Sequence, residues 1–244
     1  MRLVWLIASK DIKEAFGRHA VVYRTLIPGV LLPVVYGVMT GLMVRDATAN
    51  PRMAAHMASQ IPLFAAIVAL IGSFLAIMIA ADAVAGEKER RTIESLFATP
   101  ASDLEIFAGK VLAAVVPALA VGYGGGILFL VVARLCAGGH PLPLPAVLAA
   151  AKLIAMGVPL ITTMLAALGV IVSARCGSVQ NATQLSGLAT MPVVGGVVYL
   201  AFRVSAWSHW ELMVLLVALV ALCVVFLLIG AKTLGREEII ARLE

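Results

Sequence analysis

Apolar residues fall into six long, nearly uninterrupted stretches. They run Thr25 to Val44, Ile61 to Ala81, Val111 to Ala133, Leu153 to Ala174, Val179 to Phe202 and Leu212 to Ala231. A helix crossing a bilayer needs about 20 mostly apolar residues, and each stretch reaches that length. None contains Asp, Glu, Lys, Arg or His, and together they make up over half of the chain. The fifth opens on polar residues. The pattern predicts an all-α integral membrane protein with six transmembrane helices. Lys and Arg gather on one side of it: 13 lie in 1–24, 82–110, 175–178 and 232–244, against 5 in the other connections. Positive residues stay in the cytoplasm, so both termini are expected inside.

The polar ends have their own periodicity. Trp5, Ala8, Ile12 and Phe16 recur at helical spacing, with Lys10–Glu14 and Glu14–Arg18 as i,i+4 pairs on the other side. Residues 1–24 therefore read as an amphipathic helix on the cytoplasmic membrane surface, Trp5 and Phe16 toward lipid. The apolar run Leu3–Ala8 is too short for a cleavable signal and lacks a cleavage pattern. At the other end, Ile239, Ile240 and Leu243 share one side of 232–244, beside the pair Glu238–Arg242. A second short surface helix is expected there. The outer connections are short, and His140–Pro145 reads as a stiff, proline-rich turn.

The connection 82–110 stands apart. A link between antiparallel helices needs about 2–8 residues, and this one has 29. Glu87–Arg91 and Arg90–Glu94 lie at i,i+4, which extends the second span as a helix into the cytoplasm. Ile93, Leu96 and Phe97 make a short apolar stripe, and Pro100 disfavours helix at Thr99. Ser102 with Glu105 fits a capping box that starts the next helix. The result is a helical elbow carrying six acids and four bases. That balance suits a protein partner better than an anionic lipid surface.

Composition narrows the function classes. The chain has 244 residues, 62% of them apolar and 13% charged, and its mean hydropathy is +1.07. Soluble domains carry about 25% charged residues, so an ordinary soluble domain is excluded. The net charge of +5 reflects loop placement rather than nucleic-acid binding. Cys136, Cys176 and Cys223, like the four histidines, are scattered without metal-ligand spacing. No phosphate-binding GxxxxGK[ST] loop occurs, and neither do GxSxG or HExxH. With no ionisable residue inside a span, proton-coupled transport and intramembrane acid–base catalysis are disfavoured. Power is expected from outside the membrane.

The stretch Glu87-Lys-Glu-Arg-Arg-Thr-Ile-Glu-Ser-Leu-Phe-Ala-Thr-Pro100, followed by Leu104-Glu-Ile and Gly109-Lys, resembles the ABC-2 type permease family. These are the membrane subunits of ATP-binding-cassette transporters, mostly exporters. The family pattern runs roughly E-x-E-R-G-T-L-E-x-L-L-A-T-P, so Arg91 stands where it has Gly. Pro28 and Pro33 in the first span, and Gln184-Leu-Ser-Gly-Leu leading to Pro192 in the fifth, are similar to the family too. The resemblance implies two permease copies, or two related ones, enclosing a pathway. It implies two ATPase subunits below, which would carry the ATP and Mg; this chain would bind no cofactor of its own. It also implies that the elbow docks on the ATPase, with Glu87, Arg90, Thr92, Glu94, Leu96, Thr99 and Pro100 as the coupling residues. A bacterial inner membrane is the implied location.

Two sets of residues inside the spans have two readings each. Gln180, Thr183, Gln184, Gly187 and Thr190 share a helical face beside Asn181, and such a face points either at a translocation path or at neighbouring helices. Asn181-Ala-Thr183 also matches a glycosylation sequon but lies at the cytoplasmic end of a span. Gly37-xxx-Gly41 and Gly122-xxx-Gly126 allow close helix packing, within the chain or between copies. The rival to a permease is a non-transporting docking or assembly module built on the same elbow. A lipid-modifying enzyme is disfavoured by the missing acid–base groups. The apolar spans lean weakly toward amphiphilic or drug-like cargo.

Overall fold

The computed structural model describes residues 2–17, 19–47, 51–97, 99–203 and 209–233. Every regular element among them is helical. The helices are α1 (Arg2–Gly17), α2 (His19–Ala47), α3 (Pro51–Glu89), α4 (Ile93–Phe97), α5 (Asp103–Cys136), α6 (Leu144–Lys152), α7 (Val158–Arg175), α8 (Val179–Arg203) and α9 (His209–Thr233). The expected surface helix in 232–244 and the Glu14–Arg18 pair fall largely or partly outside the described residues.

Four stretches are long and apolar enough to cross a bilayer: Ile27–Ala47, Gln60–Glu89, Asp103–Cys136 and Leu144–Arg175. α9 contains a shorter apolar run, Val217–Gly230. α8 has 25 residues, with its polar residues concentrated in its first half. α3 has 39 residues, about 58 Å at 1.5 Å per residue. That exceeds the ~30 Å hydrocarbon layer, so part of α3 must stand clear of it.

α3 is the central rod, with α2, α5, α7 and α8 packed around it. Helices in lipid gain little from hydrophobic burial and associate through close packing, so small residues sit at their crossings. A Cβ on Gly72 of α3 would meet the α5 backbone 2.9 Å from Gly122 N. One on Gly37 or Gly41 of α2 would lie 2.9 Å from Phe129 O or 2.8 Å from Ala133 O, both on α5. Gly122 and Gly126 lie against Val158 and Ile154 respectively. All four glycines of the two GxxxG pairs thus face neighbours within this chain. Between α3 and α7, the hydroxyls of Ser73 and Thr162 meet at 3.1 Å.

The proline-rich turn is shorter than its composition suggests. Pro143 is the N-cap of α6, and Pro145 sits in the first turn, where a missing N–H costs nothing. The helix then continues to Arg175, interrupted only by a π-helical turn at Leu153–Gly157. Pro159 has no N–H to offer Ala155 O, and a removed rung is a common cause of such a local change. The Tyr123 hydroxyl donates to that carbonyl at 3.2 Å.

Candidate functional site

The C-terminal end of α3 carries the chemistry. α3 continues to Glu89 and stops in a Schellman motif: Thr92 N–H donates to Glu87 O (2.9 Å) and Arg91 N–H to Lys88 O (3.1 Å). Arg91 takes the left-handed position, φ 55, which disfavours a residue with a Cβ. This is the position where the resembling pattern carries Gly. The sharp reversal takes Arg90 and Glu94 off a common helix, so their i,i+4 spacing is not realised there.

Beyond the reversal lies the elbow. Ile93 and Ala101 are buried in the main core, and Leu96 packs against it half-buried. Thr99 closes the turn, its hydroxyl donating to Leu96 O at 2.6 Å. Thr92, Glu94 and Pro100 are exposed. The capping box forms as the sequence indicates: Glu105 N–H donates to Ser102 Oγ (3.3 Å), and Ser102 N–H donates to the Glu105 carboxylate (3.0 Å). That donated N–H holds the Glu105 carboxyl below its ordinary range. Glu105 precedes the apolar run that begins at Val111.

Two of the expected coupling residues are held by the permease itself: Glu87 is buried, and Arg90, though exposed, is tied to α1 and α3. Glu87 is 5% exposed, and its Oε1 lies 3.2 Å from Lys110 Nζ and 3.6 Å from Lys10 Nζ. Lys110 is 1% exposed, on α5. Its ammonium also reaches Asp11 Oδ2 on α1 (3.5 Å) and donates to Ala83 O. An ammonium has three donors, so Lys110 finds a partner for each. Arg90 bridges Glu14 of α1 (3.3 Å) and Asp82 (3.5 Å). Gly86 makes room for this bridge, since a Cβ there would run into the Asp82 carboxylate and lie 2.8 Å from Arg90 Nη2. α1 is therefore more than a surface float. Trp5 and Phe16 are exposed, but Ile7 and Ala8 are buried, and Gly109 brings α5 close to Val4 and Ile7.

These groups surround a cavity of about 200 Å³ whose walls include Asp11, Glu14, Asp82, Glu87, Arg90 and Lys110, with Thr183 of α8. The α8 residues separate. Gln180 and Gln184 are exposed, Thr183 is half-buried, and Thr190 is buried with its hydroxyl donating to Gly187 O at 2.6 Å. Spacing alone placed them on one face; packing against α3 and α7 divides that face in two.

Asp11, Asp82 and Lys110 join this site although sequence reasoning assigns none of them a role of its own. A signal was available for Lys110, a cation directly before an apolar span. Among the described residues no cluster of metal-ligating side chains occurs, and the three cysteines are free.

The sequence pattern of the ABC-2 family transporter proteins matches residues 5–202, which includes most of α1, the whole 82–110 connection and nearly all of α8. The chain belongs to the ABC-2 transporter permease family. It is thus a membrane subunit of an ABC transporter, not the ATPase, and the family associates with ABC ATPase partners. No curated protein matches the chain.

Proposed function

We propose that this ABC-2 permease is the membrane half of an ATP-driven exporter. Two copies, or this chain and a related one, form the pathway, and two separate ATPase chains bind below and carry ATP and Mg. In this reading the chain crosses the membrane six times, α8 and α9 being the last two spans, with both ends in the cytoplasm of a bacterial inner membrane. The 82–110 elbow is the coupling element. The observation that carries the proposal is the division of the elbow: Ile93 and Ala101 are sunk in the permease core while Glu94 stands exposed between them. A segment anchored so firmly transmits a displacement instead of absorbing it.

A mild-detergent purification of the tagged chain from its native membrane tests this reading. A complex of two permeases with two ATPase chains is expected, with vanadate-sensitive ATP hydrolysis that the permease alone lacks. A homodimer that captures no nucleotide-binding chain in several detergents would reject the transporter reading in favour of a docking module.

A further inference from the structure

The last turn of α3 also grips the opposite side of the molecule. Lys88 Nζ donates to Ala174 O (2.7 Å) and Cys176 O (3.4 Å), carbonyls at the C-terminal end of α7. The adjacent Glu89 accepts from Val179 N–H through Oε1 at 2.8 Å, at the first turn of α8. A helix C-terminus exposes carbonyls and partial negative charge, and a helix N-terminus exposes N–H groups and partial positive charge. Two consecutive residues of opposite sign thus each meet the helix end of opposite polarity. Ser178 caps the same α8 end, accepting from Asn181 N–H at 3.2 Å. One turn below, Ser173 of α7 enters the α3 ladder: its hydroxyl donates to Ala81 O and accepts from Val84 and Ala85 N–H (2.6, 3.1 and 2.9 Å).

We propose that Lys88 and Glu89 are positioning residues that lock the α7–α8 turn to the tip of α3, so that motion of the elbow reaches α8 directly. This rests on the coupling role proposed above and adds its route. The elbow joins the α3 tip through the short reversal at Arg90–Thr92, so a push on α4 arrives first at Lys88 and Glu89. From Glu89 it passes to Val179 and along α8, whose inner side carries Thr183 and Thr190. Glu87 and Arg90 hold α1 and α5 from the other side of the same turn. The E-K-E-R run therefore serves two directions: its outer residues face α1 and α5, and its middle residues face α7 and α8.

The test uses the full permease–ATPase complex in nanodiscs, with the native cysteines replaced and spin labels at Leu188 of α8 and Leu135 at the far end of α5. Both positions are well exposed. The probe is ATP with vanadate, so no cargo is needed. In the parent complex the inter-label distance is expected to shift on vanadate trapping. Glu89→Ala is expected to abolish that shift while the ATPase stays bound and still hydrolyses ATP. Glu89→Gln keeps an acceptor for Val179 N–H and should restore part of the shift. Should Glu89→Ala not accumulate in the membrane, Lys88→Met applies the same test from the α7 side. A full shift in the Ala and Met variants would overturn the route and leave the transporter reading intact. Loss of ATPase binding in both would also overturn it, since the pair would then be holding the docking surface instead of α8. A parent complex that binds no ATPase would reject the transporter reading, and the route with it.

Discussion

The root and the tip of the elbow are built from the same kinds of residue and behave in opposite ways. At the root, Glu87 and Lys110 are almost fully buried and pair with each other, Lys110 also reaching Asp11 and Ala83 O. At the tip, Glu94 and Thr92 stand in the open. Glu87 and Glu94 lie within one continuous charged motif. A charge next to an apolar span is thus either taken into the permease's own framework or left exposed at its surface, and packing decides between them. Root and tip should also differ in the damage that mutation does. Root substitutions should injure folding and, through it, function. Tip substitutions should injure function alone.

The sharpest attempt to break this division is Lys110→Met. The apolar replacement fills the space but leaves Glu87 and Asp11 without their shared cation. Removing one partner of a buried ion pair costs about 3–5 kcal/mol, because the other charge stays desolvated. Thermal unfolding in detergent should show a large fall in Tm. Adding Glu87→Gln should recover part of the loss, since neutral partners need less compensation. If Lys110→Met unfolds like the parent, the root is not structural and the comparison fails.

Gly109→Leu probes the same root through packing. A Cβ at this position would already lie 3.0 Å from Ile7 Cβ and 3.1 Å from Val4 O. A larger side chain must lift α1 from α5, at a cost of about 1–3 kcal/mol. Protease accessibility of 1–17 should rise alongside a moderate fall in Tm. Unchanged protection of α1 would mean that its seat on α5 contributes little.

Arg91→Gly separates root from tip at their junction, with a smaller effect of the opposite sign. A residue with a Cβ pays about 1–2 kcal/mol in the left-handed region. Glycine avoids that but loses about 0.5–1 kcal/mol through its freer unfolded chain. The net expectation is a stabilisation of about 0.5–1 kcal/mol, read as a small rise in Tm. A fall would show that the Arg91 side chain makes contacts worth more than its backbone strain.

Much of this arrangement was legible in the sequence, and the parts that were not have a common cause. Local rules found the capping box at Ser102, the break near Pro100 and the apolar helices, because each depends on residues a few positions apart. The pairing of Glu87 is not local. Spacing offers Arg91 as its neighbour, whereas the fold supplies Lys110, 23 positions away, and a left-handed turn removes Arg91 from the helix. The charges of α1 looked like the wet side of a surface helix for the same reason: Lys10, Asp11 and Glu14 find their partners only once α3 and α5 are in place. The face from Gln180 to Thr190 was split by packing that periodicity does not encode. What periodicity cannot show is which polar face another helix will cover.

The smallest effect on stability should come from the tip, and there it should carry the largest effect on coupling. Glu94 is exposed on a five-residue helix. An exposed surface substitution typically changes stability by no more than about 0.5 kcal/mol, so Glu94→Lys should unfold at nearly the parent Tm and reach the membrane in normal amounts. Glu94 also lies in the first turn of α4, where a negative charge is modestly favourable, so the small change should be in the direction of loss. If the tip docks on the ATPase, reversing its charge places like against like at the contact, which raises dissociation and weakens capture of the ATPase. The decisive measurement is therefore a pair taken on the same preparation: Tm of the purified permease and the amount of ATPase that co-purifies with it. An unchanged Tm with lost ATPase supports the division between root and tip. A lowered Tm with retained ATPase inverts it, making Glu94 part of the permease's own framework and moving the docking surface elsewhere on the permease.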